Sequence, residues 1–320
     1  MKLGILGAGM IVKDFLSMVA GLPQIELKGI LGTERDLVIM EEFQESYKIE
    51  QIYTDIDECL SNETIDTIYV ALPNHLHYHF TKKALESGKH VICEKPFTLS
   101  YDQLLELESI AVSKNLILIE AITNQYLANY KAIQKELKTL RNIKLVECNY
   151  SQYSSRYDLF QEGTVLPAFN PKMGGGALMD INIYNIHFIV GLFGEPEEVH
   201  YYANIERGID TSGMLILEYP DIKVVCIGAK DSTSEIQSTI QGTEGSIIIK
   251  GPTNIVDSYK KDNERIDLKI HPHRMYEEFK VFDKIIASRD FEFAKKQLDH
   301  SKKVMNIVEK AIKHAGISLG

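Results

Sequence analysis

Short apolar runs alternate with amphipathic stretches over residues 2–121. The runs are continuously apolar rather than alternating, which is typical of strands buried on both faces of a parallel sheet. The stretches between them have the helical spacing of apolar positions. We predict strands at Lys2–Leu6, Glu26–Leu31, Thr67–Ala71, His90–Cys93 and Leu116–Ala121, and helices at Ile11–Ala20, Asp36–Tyr47, His75–Ser87 and Tyr101–Ser113.

The pattern changes in the second part of the chain. From Ile143 onward, strand-like segments such as Met214–Tyr219 and Lys223–Ile227 follow one another through tight turns. This succession predicts an antiparallel sheet. One helix interrupts it and two close the chain, at about Ala177–Leu192, Met275–Ala287 and Phe293–Lys313.

These patterns predict two domains. Residues 1–121 have the βαβ order of an α/β Rossmann domain, with a doubly wound parallel sheet that binds a dinucleotide. Residues 122–320 form an α+β domain with an open, mainly antiparallel sheet, which we expect to bind substrate and to carry subunit contacts. The last helix can pack back on the first domain.

Composition narrows the class of partner. The chain has 320 residues, 44% of them hydrophobic, and its 35 basic and 45 acidic side chains give a formal net charge of −10. An acidic chain without a run of Lys and Arg disfavours nucleic acid and anionic membranes and favours a small molecule. With no signal sequence and no apolar run of about 18 residues, we expect a cytoplasmic protein.

Neither the cysteines nor the histidines have the spacing of metal ligands. The four cysteines lie far apart and form no C-x-x-C pair, so we expect buried free thiols in a reducing compartment. His75, His77 and His79 alternate, and alternate positions do not share a helix face. We therefore predict no metal site.

A glycine-rich turn follows the first strand and opens the first helix, as a dinucleotide fingerprint requires. Gly7 and Gly9 let the backbone N–H groups of Met10 and Ile11 approach a pyrophosphate. The third glycine of the fingerprint is replaced by Val12, which we expect to alter helix packing rather than phosphate binding. A plain strand-to-helix turn is the alternative.

The residues after the second strand bear on the cofactor's ribose. Glu34 can accept a hydrogen bond from a 2′-hydroxyl, as in NAD, whereas Thr33 and Arg35 suit the 2′-phosphate of NADP. The sequence thus predicts NAD(P), with NADP slightly favoured. A solvated helix cap is the alternative for each residue.

Further candidate site residues follow the strands predicted at Thr67–Ala71 and His90–Cys93, because ligands of open α/β sheets bind beyond the carboxyl ends of the strands. Lysine at such an edge can donate to a substrate oxygen and serve in acid–base catalysis. A surface ion pair between Glu94 and Lys95 is the alternative. The predicted cofactor contacts here are Leu72, Pro73, Asn74, His77, Glu94 and Lys95.

A second cluster lies on the helix predicted after Gly174-Gly175-Gly176. Asp180 and Tyr184 are four residues apart and should share a face, with His187 three residues further. Helix packing is the alternative for Tyr184 and His187. The predicted substrate contacts are Arg156, which precedes this helix in a loop, Asn182 and His187. A surface arginine is the alternative for Arg156, and a local shift of the helix backbone is the alternative for Asn182.

Together these motifs resemble the Gfo/Idh/MocA family of NAD(P)-dependent oxidoreductases. The resemblance rests on Gly7-x-Gly9, Pro73-Asn74-x-x-His77, Glu94-Lys95-Pro96 and the 174–187 segment, and on the order of the two domains. Many members carry histidine at the position of Tyr184. Tyrosine there is similar to the glucose-fructose oxidoreductase, dihydrodiol dehydrogenase and D-xylose dehydrogenase branch.

The resemblance implies hydride transfer between nicotinamide and a sugar, polyol or related hydroxy or carbonyl compound. Lys95 and Tyr184 would exchange the hydroxyl proton, and Asp180 would orient the substrate or Tyr184. It also implies a homodimer or higher homo-oligomer through the C-terminal sheet. Two alternatives stay open: a non-catalytic dinucleotide-binding sensor, and a redox-neutral enzyme with tightly bound NAD.

Overall fold

A computed structural model describes residues 1–319 of the chain, which divides into two compact units. Unit one comprises Met1–Ala121 and Met275–Asp299, and unit two comprises Ile122–Arg274 and His300–Gly320. Unit one therefore combines the first part of the chain with a segment from near its end.

Unit one contains a six-stranded sheet in the order β3-β2-β1-β4-β5-β6, and every neighbouring pair is parallel. This confirms the predicted doubly wound parallel sheet. The short edge strand β3 was not predicted, because three residues are too few for a readable pattern. The strands are β1 Lys2–Leu6, β2 Glu26–Leu31, β3 Gln51–Tyr53, β4 Thr67–Val70, β5 His90–Glu94 and β6 Leu118–Ala121.

The helices of unit one follow the predicted ones closely, except for α3, Ile56–Ser61, which was not predicted. The helix predicted from His75 instead begins with a 3₁₀ turn, Asn74–Leu76, because the chain enters it from Pro73 in an extended conformation. The helices are α1 Met10–Val19, α2 Leu37–Tyr47, α3 Ile56–Ser61, α4 His77–Glu86 and α5 Tyr101–Ser113, with α9 Tyr276–Ser288 from near the chain end.

An aromatic cluster joins α9 to the core of unit one. The rings of Phe15, Tyr69 and Phe279 lie 4.5–5.3 Å apart between centroids, a spacing at which each pair contributes about 0.5–1.5 kcal/mol beyond its buried area. Phe15 lies on α1, whose Val12 is also fully buried. The helix that follows the glycine turn is therefore fixed by packing from two directions.

Unit two contains an eight-stranded sheet in the order β14-β13-β12-β11-β7-β10-β9-β8. Strands β7 and β10 pair in parallel, and the other neighbours pair antiparallel, which confirms the mainly antiparallel sheet. The strands are β7 Ile143–Ser151, β8 Glu198–Glu206, β9 Ile209–Glu218, β10 Lys223–Ala229, β11 Gln237–Gly242, β12 Gly245–Lys250, β13 Tyr259–Lys261 and β14 Glu264–Ile266.

The helix predicted at Ala177–Leu192 begins with a π-helical turn, Leu178–Asn182, and continues as α8, Ile183–Phe193. The prediction of one regular α-helix is therefore wrong over its first turn. Asn182 explains the change, since its buried amide donates to Cys226 O at 3.1 Å. Gly228 makes room for it, because an added Cβ there would lie 2.7 Å from Asn182 Cβ.

The remaining helices of unit two are short. They are α6 Ala128–Glu136 and α7 Tyr157–Gln161. The long closing helix α10, Phe291–Ala315, contributes to both units, which divide between Asp299 and His300. The Pro171–Phe193 stretch is long and apolar enough to cross a membrane, but 72% of its most apolar window is buried inside the protein, as in the core helix of a globular domain.

Candidate active site

The glycine turn of unit one has the geometry that a nucleotide phosphate needs. Gly7 has φ +115°, and a Cβ there would lie 2.4 Å from Ala71 O, so the turn excludes every other residue. A Cβ added at Gly9 would meet nothing within 4 Å among the described residues. The turn is closed on the sheet side at Gly7 and open at Gly9.

Helix α1 presents an uncapped N-terminus at this turn. Gly9 is the N-cap residue, no side chain caps the helix, and its first turn contains no acidic residue within the described chain. Such an end leaves backbone N–H groups and the positive end of the helix dipole for an anion. The N-terminus therefore fits the pyrophosphate of a dinucleotide.

The turn after β2 is organised by a residue that the sequence analysis did not single out. Thr33 donates to Asp36 Oδ2 through both its N–H, at 2.8 Å, and its hydroxyl, at 2.7 Å. These hydrogen bonds hold the pKa of the Asp36 carboxyl below its usual value. Glu34 and Arg35 are exposed.

His77 lies buried between two loops rather than facing solvent. Its fully buried ring lies with Nδ1 2.8 Å from Pro96 O and Nε2 2.7 Å from Leu72 O. Burial lowers the pKa of His77 and favours the neutral ring, which donates through one nitrogen. The structure therefore places this predicted cofactor contact beneath the loops that contain Pro73 and Lys95.

Two buried carboxylates, those of Glu94 and Glu120, accept hydrogen bonds from the backbone of the Glu94-Lys95-Pro96-Phe97 segment. Glu94, at the end of β5, accepts from the Tyr69 hydroxyl at 2.6 Å and from the Lys95 N–H at 3.3 Å. The Phe97 N–H donates to Glu120 Oε1 at 3.0 Å. Glu94 is 9% exposed, so it is an interior group.

Lys95 itself is half-buried, and its peptide bond to Pro96 is cis. Tyr69 and Glu120, which help to hold the turn, were missed by the sequence analysis. A polar side chain inside a continuously apolar strand was the available signal, since Tyr69 stands in β4 and Glu120 in β6.

In unit two, Asp180 lies in the π-helical turn and pairs with a lysine that the sequence analysis also missed. Lys230 Nζ is 2.7 Å from Asp180 Oδ2, and the lysine side chain is 3% exposed against 35% for the aspartate. Tyr184 is 9% exposed, and its ring centroid lies 6.2 Å from that of Tyr150. Asp180 and Tyr184 thus belong to one helical segment with different degrees of exposure.

The start of that segment is capped by a buried carboxylate. Asp210 Oδ2 accepts from the Leu178 N–H at 2.6 Å and from the Tyr201 hydroxyl at 2.7 Å. Gly176, with φ +101°, admits this carboxylate, because a Cβ there would lie 2.1 Å from Asp210 Oδ1. Burial raises the pKa of Asp210 to about 6.

The three predicted substrate contacts lie in different environments. Asn182 and His187 are fully buried; Asn182 bonds to β10, and His187 Nδ1 lies 3.0 Å from His300 Nε2. Arg156 is exposed just before α7. The structure gives Asn182 and His187 interior packing, and of the three it leaves Arg156 accessible.

All four cysteines are free and buried, as predicted. Across residues 1–319, no three His, Cys, Asp or Glu side chains gather in a way that could hold a metal ion.

Comparison with known proteins matches both parts of the chain. Residues 1–122 match the oxidoreductase family with an NAD-binding Rossmann fold, and residues 138–248 match the GFO/IDH/MocA C-terminal domain. The chain is 32% identical to scyllo-inositol 2-dehydrogenase (NADP(+)) IolU of Bacillus subtilis, over 99% of this chain and 97% of that protein. It is 30% identical to trans-1,2-dihydrobenzene-1,2-diol dehydrogenase of Xenopus tropicalis, over 81% and 79%.

Solved structures show the same fold at lower identity. KijD10, a 3-ketoreductase from Actinomadura kijaniata in complex with NADP and TDP-benzene, aligns with a TM-score of 0.84 at 18% identity, over 98% of this chain and 97% of that one. Aldose-aldose oxidoreductase from Caulobacter crescentus aligns with a TM-score of 0.83 at 19% identity, over 99% and 97%.

Fold, glycine turn and matches together define an NAD(P)-dependent oxidoreductase. The chain belongs to the Gfo/Idh/MocA family, as its motifs had indicated.

Asp210 predicts a specific dependence of stability on pH. Because its folded pKa of about 6 lies above the ordinary value, the folded state retains a proton that the unfolded state has lost between about pH 4 and pH 6. The stability contributed by this group therefore falls as pH rises through that window, by up to about 3 kcal/mol. Denaturant unfolding of the wild type and Asp210→Asn should show their difference shrinking or reversing from low to neutral pH. Parallel curves across that range would contradict the assignment.

Proposed function

We propose that the chain is an NADP-dependent dehydrogenase that oxidises a ring hydroxyl of a polyol or sugar, or reduces the corresponding ketone. The observation that carries the proposal is the half-buried Lys95 at the carboxyl end of β5, on a turn held by buried Glu94 and Glu120. The full-length likeness to a scyllo-inositol dehydrogenase supports a polyol.

Within unit one we assign the cofactor contacts to the loops at the carboxyl ends of the strands. The bound dinucleotide supplies the hydride acceptor or donor. The N–H groups of Met10 and Ile11 bind its pyrophosphate, and the turns that contain Leu72, Pro73 and Asn74 line the path toward Lys95. The uncapped helix α1 and the open space at Gly9 support these assignments.

We assign the preference for NADP to Arg35. Its guanidinium is exposed, and a 2′-phosphate offers it a charge-assisted hydrogen bond. The hydroxyl of Thr33 already donates to Asp36, so it offers an incoming phosphate a lone pair rather than a proton. Glu34 opposes a phosphate at the same turn, which leaves Arg35 as the main determinant.

Proton transfer is assigned to Lys95 and Tyr184, with Asp180 orienting the reacting group. A half-buried amine at a strand end and a phenol at a helix start are both suited to exchange a proton with an alcohol. Arg156, which is exposed beside α7, is assigned to substrate binding. We do not assign a substrate contact to Asn182 or His187, because both are fully buried.

We propose that residues 1–121 serve as the cofactor domain and residues 122–320 as the substrate and oligomerisation domain, although Met275–Asp299 groups with unit one. A cytoplasmic location is supported by the four free, buried thiols.

The proposed oligomer forms through the sheet face of unit two that lies opposite its buried core. Met214 on β9 has Tyr202 on β8 as its register partner on one side and Ile227 on β10 on the other. All three residues therefore lie on this face. Tyr202 is 58%, Met214 50% and Leu145 51% exposed. A run of exposed apolar side chains across adjacent strands is typical of a protein interface, and we propose a second copy of the chain as its occupant.

Lys95→Met should retain the fold and NADP affinity but lose turnover by about 10²- to 10⁴-fold, the usual contribution of a proton-transfer group. The assay follows nicotinamide absorbance with NADP and a panel of inositols, sugars and other polyols, and fluorescence titration gives NADP affinity. Lys114→Met, on an exposed turn of the same unit, is the control and should behave as wild type. Full activity in Lys95→Met would sink the assignment. Wild-type NADP binding with no turnover on any substrate would favour a sensor, and NAD that copurifies would favour a redox-neutral enzyme.

Arg35→Ala should weaken NADP binding by about 10- to 100-fold and leave NAD binding nearly unchanged, because it removes one charge-assisted bond to the 2′-phosphate. Isothermal titration with each cofactor measures the effect. Arg289→Ala, which removes another exposed arginine of unit one, should alter neither affinity. Equal losses for both cofactors would show that Arg35 does not read the 2′ position.

Met214→Glu should shift the chain toward monomer, since each interface would bury two uncompensated carboxylates. Light scattering coupled to gel filtration measures the mass. Val112→Glu puts the same charge on an exposed apolar position of α5, where the side chain is 69% exposed, and should leave the mass unchanged. A wild type that elutes as a monomer at micromolar concentration would refute the proposed interface.

A further inference from the structure

We propose that Lys230 is a positioning residue, which fixes the carboxylate of Asp180 in the orientation that the reaction requires. This inference rests on the proposed function, because it takes Asp180 as the group that orients substrate or Tyr184. Lys230 follows directly after β10, and no motif in the sequence points to it.

Lys230 has the surroundings of a buried, fully satisfied ammonium. Its Nζ lies 2.7 Å from Asp180 Oδ2 and 2.5 Å from Ala168 O, and it stands 4.4 Å from the ring centroid of Phe169. An ammonium has three N–H donors, and these three partners, a carboxylate, a carbonyl and an aromatic face, account for all of them. The side chain is therefore held in one place.

The backbone of Lys230 is also held by hydrogen bonds. Its N–H donates to Thr211 O at 2.9 Å and its carbonyl accepts from the Ser154 N–H at 2.9 Å. Phe169, beneath the ammonium, is fully buried in a cluster with Tyr157 and Phe160. Because the backbone of Lys230 and the ring of Phe169 are both fixed, the ammonium has little freedom to move. The ion pair therefore fixes the position of the Asp180 carboxylate.

The two halves of the ion pair differ in exposure. The lysine side chain is 3% exposed, whereas that of Asp180 is 35% exposed. At a position that served packing alone, apolar side chains would stabilise the fold at least as well, since a buried ion pair contributes little net stability. Here the ammonium of Lys230 is buried and the carboxylate of Asp180 reaches the surface. In this arrangement a fixed cation orients a carboxylate that stays accessible.

The π-helical turn that contains Asp180 is anchored at three points. Asp180 lies within Leu178–Asn182, where the backbone departs from α-helical geometry, as it frequently does at functional sites. Asp210 anchors the start of the turn at the Leu178 N–H, and Asn182 anchors its end on β10. Lys230 adds the third anchor, and it acts on the side chain rather than on the backbone.

The test is a double-mutant cycle on turnover with Lys230→Met, Asp180→Asn and the double variant, using NADP and the polyol of fastest turnover in the panel. Because a displaced catalytic group costs up to about 10²-fold in rate, Lys230→Met should lower kcat by about 10- to 100-fold with NADP affinity unchanged. In the Asp180→Asn background the same substitution should lower kcat less than threefold, since Lys230 acts through Asp180. Thermal unfolding of each holoprotein confirms that the compared variants are folded.

Lys269→Met is the matched control, because Lys269 forms an exposed ion pair with Asp257 at 2.9 Å in the same unit. It should leave kcat unchanged. A folded Lys230→Met with wild-type kcat overturns the inference while leaving the proposed function intact, and so does an equal loss of kcat in both backgrounds. Wild-type turnover in Asp180→Asn, or no turnover by the wild type on the panel, overturns the proposed role of Asp180 itself and the inference with it.

Discussion

The cost of burying a charged or polar group without a partner governs this structure. In unit one, Glu94 and Glu120 enter the interior because Tyr69 and the backbone N–H groups of the following turn satisfy them. In unit two, Asp210 is satisfied by a helix N-terminus and a tyrosine, and Lys230 by three partners. Two of these groups contact residues to which we assign chemistry, since Glu94 accepts from the Lys95 N–H and Lys230 pairs with Asp180. The rigid orientation of the proposed reacting groups therefore follows from the same requirement that keeps the interior intact.

The sequence predicts features that depend on residues close together in the chain, and it does not predict features that depend on contacts between distant segments. The parallel sheet and its helices were predictable because continuously apolar strands are local patterns, whereas the three residues of β3 carry too little pattern. The π-helical turn could not be predicted, since it depends on Asn182 meeting Gly228 on a distant strand. Lys230 was missed for the same reason. Tyr69 and Glu120 were readable in principle, as polar residues within apolar strands, but their partners were not.

The charge of −10 poses a further requirement for a chain that binds a phosphorylated cofactor. A uniformly acidic surface would repel it, so attraction must be local. The uncapped N-terminus of α1 and the exposed Arg35 provide positive potential at the two points to which we assign the phosphates of the dinucleotide. Asp36, which follows Arg35, accepts two hydrogen bonds from Thr33, and these lower its pKa and so favour its ionised form. Local geometry, rather than net charge, thus decides binding.

In the proposed reaction a hydride passes directly between a carbinol carbon of the substrate and the nicotinamide. This transfer is measured by supplying NADP and a polyol deuterated on its carbinol carbons and examining the reduced cofactor by proton NMR. We expect stoichiometric deuterium at C4 of the nicotinamide, on one face of the ring. Reduced cofactor that carries solvent hydrogen instead, or no reduced cofactor with any polyol or sugar that binds, would contradict the proposed reaction.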